Sequence, residues 1–367
     1  MPIYMDIHSV PGIEALDLAE AHRKDMLIQD SYRCKCMTYW VDEARGVAFC
    51  LIEAPDKSVV AEMHKNAHGF IPNKIIEVKN EVVESFLGRI HDPEDAEISN
   101  NGLKVFRDTA FRILLVTDSI DPVLLRHNLG ARNASDLLKK INMILRKELL
   151  FHAGREVEHT GNEFIASFSS ASKAILCALA IQKNLSGPDR KLTGFRIGIT
   201  AGNPVAKSDR LFGDSIQLAR CLCTAAHSNA RIVVSSVVNE LLTADQFASG
   251  RKRFIAILPQ DEIVLQALFR KLEENWQDPD FTVLDFCRSM SMSKSQLYRK
   301  TVALWNLSPN LLLKEFRLNK AREMLKTHFN NISQTTFDSG FTSPSYFTKC
   351  FKKKFGLLPA VYLNSLK

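Results

Sequence analysis

No stretch of this sequence stays apolar for the ~18 residues a membrane span requires, so no membrane partner is expected. The opening residues, Met1 to His8, lack the basic-then-apolar order of a secretory signal, and a cytoplasmic location is the expectation. Cysteine is sparse. Eight are scattered over 367 residues, and only Cys34/Cys36 and Cys221/Cys223 lie close together. That excludes a disulfide scaffold and leaves reduced thiols as the reading. Internal repeats and low-complexity tracts do not stand out. Excess charge is also missing from the first 261 residues, where 32 Lys+Arg balance 32 Asp+Glu. The net charge of +7 falls wholly in residues 262–367, with 16 basic against 9 acidic side chains. A basic module on a neutral body fits a polyanion partner.

That C-terminal stretch has a wholly helical pattern. Ser293 with Gln296 three residues on makes a capping box at a helix start, and Leu297, Thr301 and Leu304 share one face. Phe281 to Met290 is the supporting helix, with Ser291-Met292 as the turn. A second unit follows. Ser343 caps, Pro344 suits the first helical position, and Gly356 suits the end. Phe347, Cys350, Phe351 and Phe355 form its buried stripe, supported by a helix from Ile332 to Ser339 and a turn at Gly340. A long amphipathic helix, with Leu318, Ala321 and Leu325 inward, joins the two. Each short helix then offers polar and basic side chains from an apolar base, as major-groove reading requires. The candidate DNA-binding residues are Ser295, Gln296, Arg299 and Lys300 in the first unit, and Ser343, Ser345, Thr348, Lys349 and Lys352 in the second.

Residues 292–300, Ser308-Pro309, 317–321 and 340–352, with Phe355-Gly356 and Pro359, resemble the DNA-binding domain of the AraC/XylS family of regulators. The resemblance implies double-stranded DNA as partner. Thr335, Thr336 and Ser339 stand where that family has apolar residues, so looser packing of the second unit is expected.

Residues 1–80 read strand, helix, hairpin, helix, strand, the βαββαβ order of a ferredoxin-like domain. Alternation on the first strand puts Tyr4, Asp6 and His8 on one face, and His64 and His68 are four apart on a helix. His8, His22, Cys50, His64 and His68 are the candidate metal ligands, with Cys34 and Cys36 nearby in sequence. Residues 4–8, Ala21-His22, 39–43, 49–55 and 64–69 resemble a small domain family, one member of which is described as nickel-binding. Imidazole and thiolate suit nickel, zinc or copper alike. Residues 81–106 read as a helix followed by a linker.

Residues 107–247 again mix strands and helices. Leu114–Asp118, Glu158–Phe164, Phe195–Gly202 and Phe212–Arg220 resemble the class III nucleotide cyclase domain. Such chemistry needs two carboxylates to hold metal ions at the phosphates, and cations at the transition state. Asp118 matches the first carboxylate, but Asn162 stands at the second and Glu158 at the lysine position. Gln217 and Cys221 occupy the usual Asn and Arg positions, with Arg220 displaced by one residue. An inactive domain is expected, and the resemblance implies homodimerisation.

The expectation is therefore a multidomain chain: two α+β ferredoxin-like domains, residues 1–80 and 107–247, then an all-α double helix-turn-helix domain, residues 262–367. It reads as a transcription regulator whose first two domains sense a small-molecule or metal effector, with RNA polymerase as a further partner. A cyclase with DNA-binding output and a metal-binding sensor are the alternatives.

Overall fold

The computed structural model describes residues 1–185, 194–225, 232–242, 253–328 and 331–366. The end expected for the middle block, near residue 247, lies outside them.

The N-terminal domain runs β1 (Ile3–Ser9), α1 (Ala15–Ile28), β2 (Lys35–Asp42), β3 (Val47–Glu53), α2 (Lys57–Ala67) and β4 (Lys74–Val78). Its sheet order is β2-β3-β1-β4 with antiparallel neighbours, the ferredoxin-like arrangement. Both faces of β1 are covered. Tyr4 belongs to the apolar core beneath α1 and α2, whereas Met5, Ile3 and Ile7 join a second core on the opposite side.

Residues 81–106 correct the expectation of a linker. A helix, α3 (Asn80–Leu87), is present. After it, β5 (Glu97–Ile98) pairs with β6 (Lys104–Val105), which turns the chain back. Leu103, Val105 and Phe106 enter the N-terminal core, and the Phe106 ring stacks on Tyr39 at 4.0 Å. The segment completes the domain because three apolar side chains gain burial there.

The middle domain repeats the topology. Its elements are β7 (Arg112–Asp118), α4 (Pro122–Leu129), α5 (Ala131–Phe151), β8 (Arg155–Thr160), β9 (Glu163–Phe168), α6 (Ala171–Asn184) and β10 (Arg196–Gly202). Then come α7 (Gly213–Ala225), β11 (Ile232–Val234), α8 (Ser236–Leu241) and β12 (Ile255–Ala256). The sheet order β12-β11-β10-β7-β9-β8 contains the ferredoxin-like order β10-β7-β9-β8, extended by two parallel strands. Helix α7 lies directly on β10, because a Cβ at Gly198 would stand 2.1 Å from the Ala219 carbonyl oxygen.

The remaining helices are α9 (Pro259–Asn275), α10 (Val283–Ser289), α11 (Lys294–Trp305), α12 (Pro309–His328), α13 (Ile332–Asp338), α14 (Pro344–Phe355) and α15 (Pro359–Asn364). They form the two helix-turn-helix units, α10–α11 and α13–α14. No sequence repeat announced it, yet the units correspond position by position. Ser293 and Ser343 cap, Leu297 and Phe347 are buried, as are Trp305 and Phe355, and Asn306 and Gly356 close the helices at positive φ.

The polar support helix does not pack loosely. Thr335, Thr336 and Ser339 are completely buried. Two of their hydroxyls turn back onto the helix, Thr336 Oγ1 to the Ile332 carbonyl at 2.8 Å and Ser339 Oγ to that of Thr336 at 3.1 Å. This satisfies polar groups without a neighbour. Thr335 Oγ1 alone has no partner among the described residues.

Candidate metal centre and nucleic-acid interface

The N-terminal core holds a knot of buried titratable side chains. β1 supplies Asp6 and His8, β3 supplies Cys50, α1 supplies Asp25, α2 supplies His64, and His68 lies just past the end of α2. His64 sits between two carboxylates. Its Nε2 is 2.9 Å from Asp6 Oδ2, and its Nδ1 is 3.1 Å from Asp25 and 3.0 Å from His68 Nε2. The Cys50 backbone N–H donates to Asp6 Oδ1 at 3.0 Å. Asp6, His8, Cys50 and His64 offer ligand atoms within 4.8 Å of one another, as do Asp25, His64 and His68.

The electrostatics follow from burial and from the charges packed together there. Burial would raise the Asp6 pKa, but His8 and His64 outweigh it and hold the carboxyl far below its usual range. Asp25 is lowered in the same way by His64 and His68. Burial opposes charge on His64, yet the two carboxylates prevail and raise its pKa to about 10. The Cys50 thiol is pushed well above its ordinary value by burial and then by the nearby Asp6 and Asp25. Two carboxylates facing three imidazoles and a thiol make a donor set for a transition-metal ion.

A metal fits this set on one further observation. Neither ring nitrogen of buried His8 has a hydrogen-bond partner among the described residues. Its Nε2 is ion-paired with Asp6 Oδ1 at 3.2 Å, which leaves Nδ1 as the orphaned atom. A buried imidazole nitrogen without a partner is costly unless something else engages it.

Of the sequence candidates, His8, Cys50, His64 and His68 are brought together. His22 is not. Its Nε2 is 3.6 Å from Asp92 Oδ2 and its ring packs on Tyr39, one helical turn before Asp25 on the same buried side of α1. Cys34 and Cys36 fall outside both donor groups. Asp6, which strand alternation places on the same face of β1 as His8, joins the donor set beyond the sequence candidates. Asp25 carries no sequence signal, since nothing local relates it to a histidine on another helix.

In the helical domain, Ser295 and Arg299 are exposed on α11. Gln296 is exposed, but its Oε1 accepts from the Ser293 N–H at 2.8 Å, completing the capping box. Lys300 pairs with Asp261 on α9 at 2.7 Å, so its ammonium points to the body of the domain. On α14, Ser345, Lys349 and Lys352 are exposed and Thr348 is half-buried. Ser343 Oγ caps the helix by accepting from the Tyr346 N–H at 3.3 Å. The exposed set thus contracts to one face of each helix, with Tyr298 and Tyr346 exposed beside it.

In the middle domain, Asp118 Oδ1 accepts from Asn162 Nδ2 at 2.7 Å, and its other oxygen is engaged by the Arg196 guanidinium. Glu163 is held through both oxygens by Arg220, at 2.7 and 2.8 Å. Both carboxylates are neutralised internally. Cys221, on α7, is buried in the core that this helix shares with the C-terminal helices.

Residues 4–78 match the family described as nickel responsive protein SCO4226-like. Residues 286–365 match the helix-turn-helix domain family. The chain is 40% identical over 110 residues to "Histidine kinase P4" of Formosa agariphila, covering 30% of this chain and 8% of that protein. It is 32% identical over 95 residues to the raffinose operon transcriptional regulatory protein RafR of Pediococcus pentosaceus, covering 26% and 34%. It is 28% identical over 88 residues to "Putative adenylate cyclase 3" of Rhizobium meliloti, covering 23% and 15%. The chain spans about a third or less of the length of these relatives. The two family matches fall on the stretches whose motifs carried the AraC-type and nickel-binding resemblances. No helix among the described residues is long and apolar enough to cross a membrane.

Proposed function

We propose that this chain is a DNA-binding transcription regulator of the AraC type, with a metal-responsive N-terminal domain and a middle domain that joins the two without catalysis. The carrying observation is the pair of equivalent helix-turn-helix units, each with an exposed polar and basic face: Ser295 and Arg299 on α11, Ser345, Lys349 and Lys352 on α14. Rigid apolar bases beneath such faces suit two successive major-groove contacts, roughly 34 Å apart on the duplex. The similarity to RafR, named as a transcriptional regulatory protein, favours the same reading.

Asp6, His8, Cys50 and His64, or Asp25, His64 and His68, would hold the ion. When bound, the metal supplies a fixed positive charge that draws carboxylate, imidazole and thiol donors together. The protein contributes a buried enclosure and Asp6, which orients His64 through its hydrogen bond.

For the middle domain, the engagement of Asp118 by Arg196 and Asn162 supports a bridging role. A guanidinium already provides the charge that metal ions would bring. Self-association through this domain accords with its cyclase resemblance and is checked by sedimentation of the full chain.

The deciding experiment is selection of binding sites from random DNA, with and without Ni(II) or Zn(II). Enrichment of a bipartite motif is expected. Recovery of unenriched sequence at every stage would refute DNA reading.

A further inference from the structure

β1 carries the metal knot on one face and an interdomain contact on the other. Asp6 and His8 face the knot. Met5, with Ile3 and Ile7, faces an apolar cluster that also contains Leu114, Val205, Leu211 and Phe212 of the middle domain. The adjacent strand adds a polar clamp, in which Lys74 Nζ donates to the carbonyls of Lys207 and Ser208 and pairs with Asp209 at 3.1 Å.

Phe212 is the start of a rod. It stacks on Phe86 at 4.7 Å and holds φ of +53°, and its carbonyl accepts the first hydrogen bond of α7, from the Ile216 N–H at 2.8 Å. Helix α7 is 13 residues long, about 20 Å at the usual rise. It is seated without slack, with the Ala219 carbonyl against Gly198 and Cys223 Sγ 3.1 Å from the Val116 carbonyl oxygen. At its far end, Thr224 Oγ1 accepts a hydrogen bond from Trp305 Nε1 at 3.0 Å. Trp305 is the last residue of α11, the first reading helix. Leu218, Cys221, Leu222 and Ala225 share a core with Leu297 and Trp305 of that helix.

We infer that α7 is the coupling element between the metal knot and the first reading helix, with the apolar cluster that Met5 and Phe212 share as its input and the Thr224–Trp305 hydrogen bond as its output. This rests on the metal-responsive reading given above. The physical requirement is that the ion bind two arrangements of β1 with different affinity. A packed strand and helix then carry that difference onward, because close-packed interiors shift between discrete arrangements rather than deform smoothly.

The test uses the full chain, Ni(II), and the DNA site obtained by selection. Calorimetry measures nickel binding, a titration gives the DNA Kd with and without nickel, and hydrogen exchange follows residues 213–225 and 294–305. The wild-type chain is expected to change its DNA Kd about fivefold or more on nickel binding, with altered exchange in both segments. Thr224→Val is expected to keep the nickel stoichiometry and the exchange change in 213–225. It loses the change in 294–305, and its Kd ratio falls to within about twofold of unity. Trp305→Phe, which removes the same hydrogen bond from the other side, serves if the first variant is unstable. The route is overturned if both variants keep the full wild-type ratio, or if nickel binds and residues 213–225 exchange as before. Absence of nickel binding in the calorimetry defeats the reading of the knot itself, and the route with it.

Discussion

Tyr362 Oη donates a hydrogen bond of 2.9 Å to Asp121 Oδ2, joining the last helix of the chain to the first helix of the middle domain. Asp121 is fully buried, and its other oxygen caps α4 by accepting from the Val123 N–H at 2.9 Å. Lys326 pairs with it at 2.6 Å. The second helix-turn-helix unit is thereby anchored to the middle domain, as Trp305 anchors the first.

Tyr362→Phe should lower stability by about 1.5–3 kcal/mol, the range for a hydrogen bond to a charged acceptor. Burial raises the Asp121 pKa, but Lys326, Arg322 and Tyr362 outweigh it, so the folded value lies below the ordinary one. The contribution is then complete above the unfolded value of about 3.9 and is lost as pH falls through the folded pKa. Thermal unfolding between pH 7 and pH 3 checks this. A wild-type chain that loses no more stability in acid than Asp121→Asn contradicts it.

Arg299→Ala and Lys349→Ala should each weaken binding to the selected site. Loss of a base contact at Arg299 would cost about 1–3 kcal/mol and relax sequence preference at one position, while loss of a phosphate contact would weaken all sequences alike. Unchanged affinity of the double variant in a titration would remove these residues from the interface.

His64→Ala should abolish stoichiometric nickel, whereas His22→Ala should retain it, since His22 pairs with Asp92 outside the knot. Metal analysis after dialysis distinguishes them. Retention of nickel by His64→Ala would move the site elsewhere.

The full chain with ATP or GTP and manganese should form no cyclic nucleotide, because Asp118 already holds Arg196 and Asn162. A product that disappears in Asp118→Ala would show that the site still works.

Thr335→Val should stabilise the helical domain by about 1 kcal/mol, because it replaces a fully buried hydroxyl that has no partner with an isosteric methyl. Thr336→Val, which also removes a hydrogen bond to the Ile332 carbonyl, should gain less. Urea midpoints separate the two.

Periodicity marks the strands and helices of residues 1–80 and the helices of the C-terminal block, because alternation and 3.6-residue spacing are local properties of the chain. The capping box at Ser293 was legible for the same reason. Contacts between distant residues were not. Lys300 carries the same charge as Arg299, and only Asp261, 39 residues away, turns it inward. Leu103, Val105 and Phe106 sit in a polar stretch that looks like a linker until the short β5–β6 ladder folds them into the N-terminal core, with Phe106 on Tyr39.

The sequence by itself determined that the last third of the chain would present two polar helical faces on apolar bases, since those signals lie within a few residues of one another. The tertiary structure alone decided which of those side chains remain exposed, that Asp25 joins the knot while His22 leaves it, and that both helix-turn-helix units are tied to the middle domain at Thr224 and Asp121. Those outcomes depend on which surfaces meet across long chain separations, and burial energy settles that over the whole fold at once.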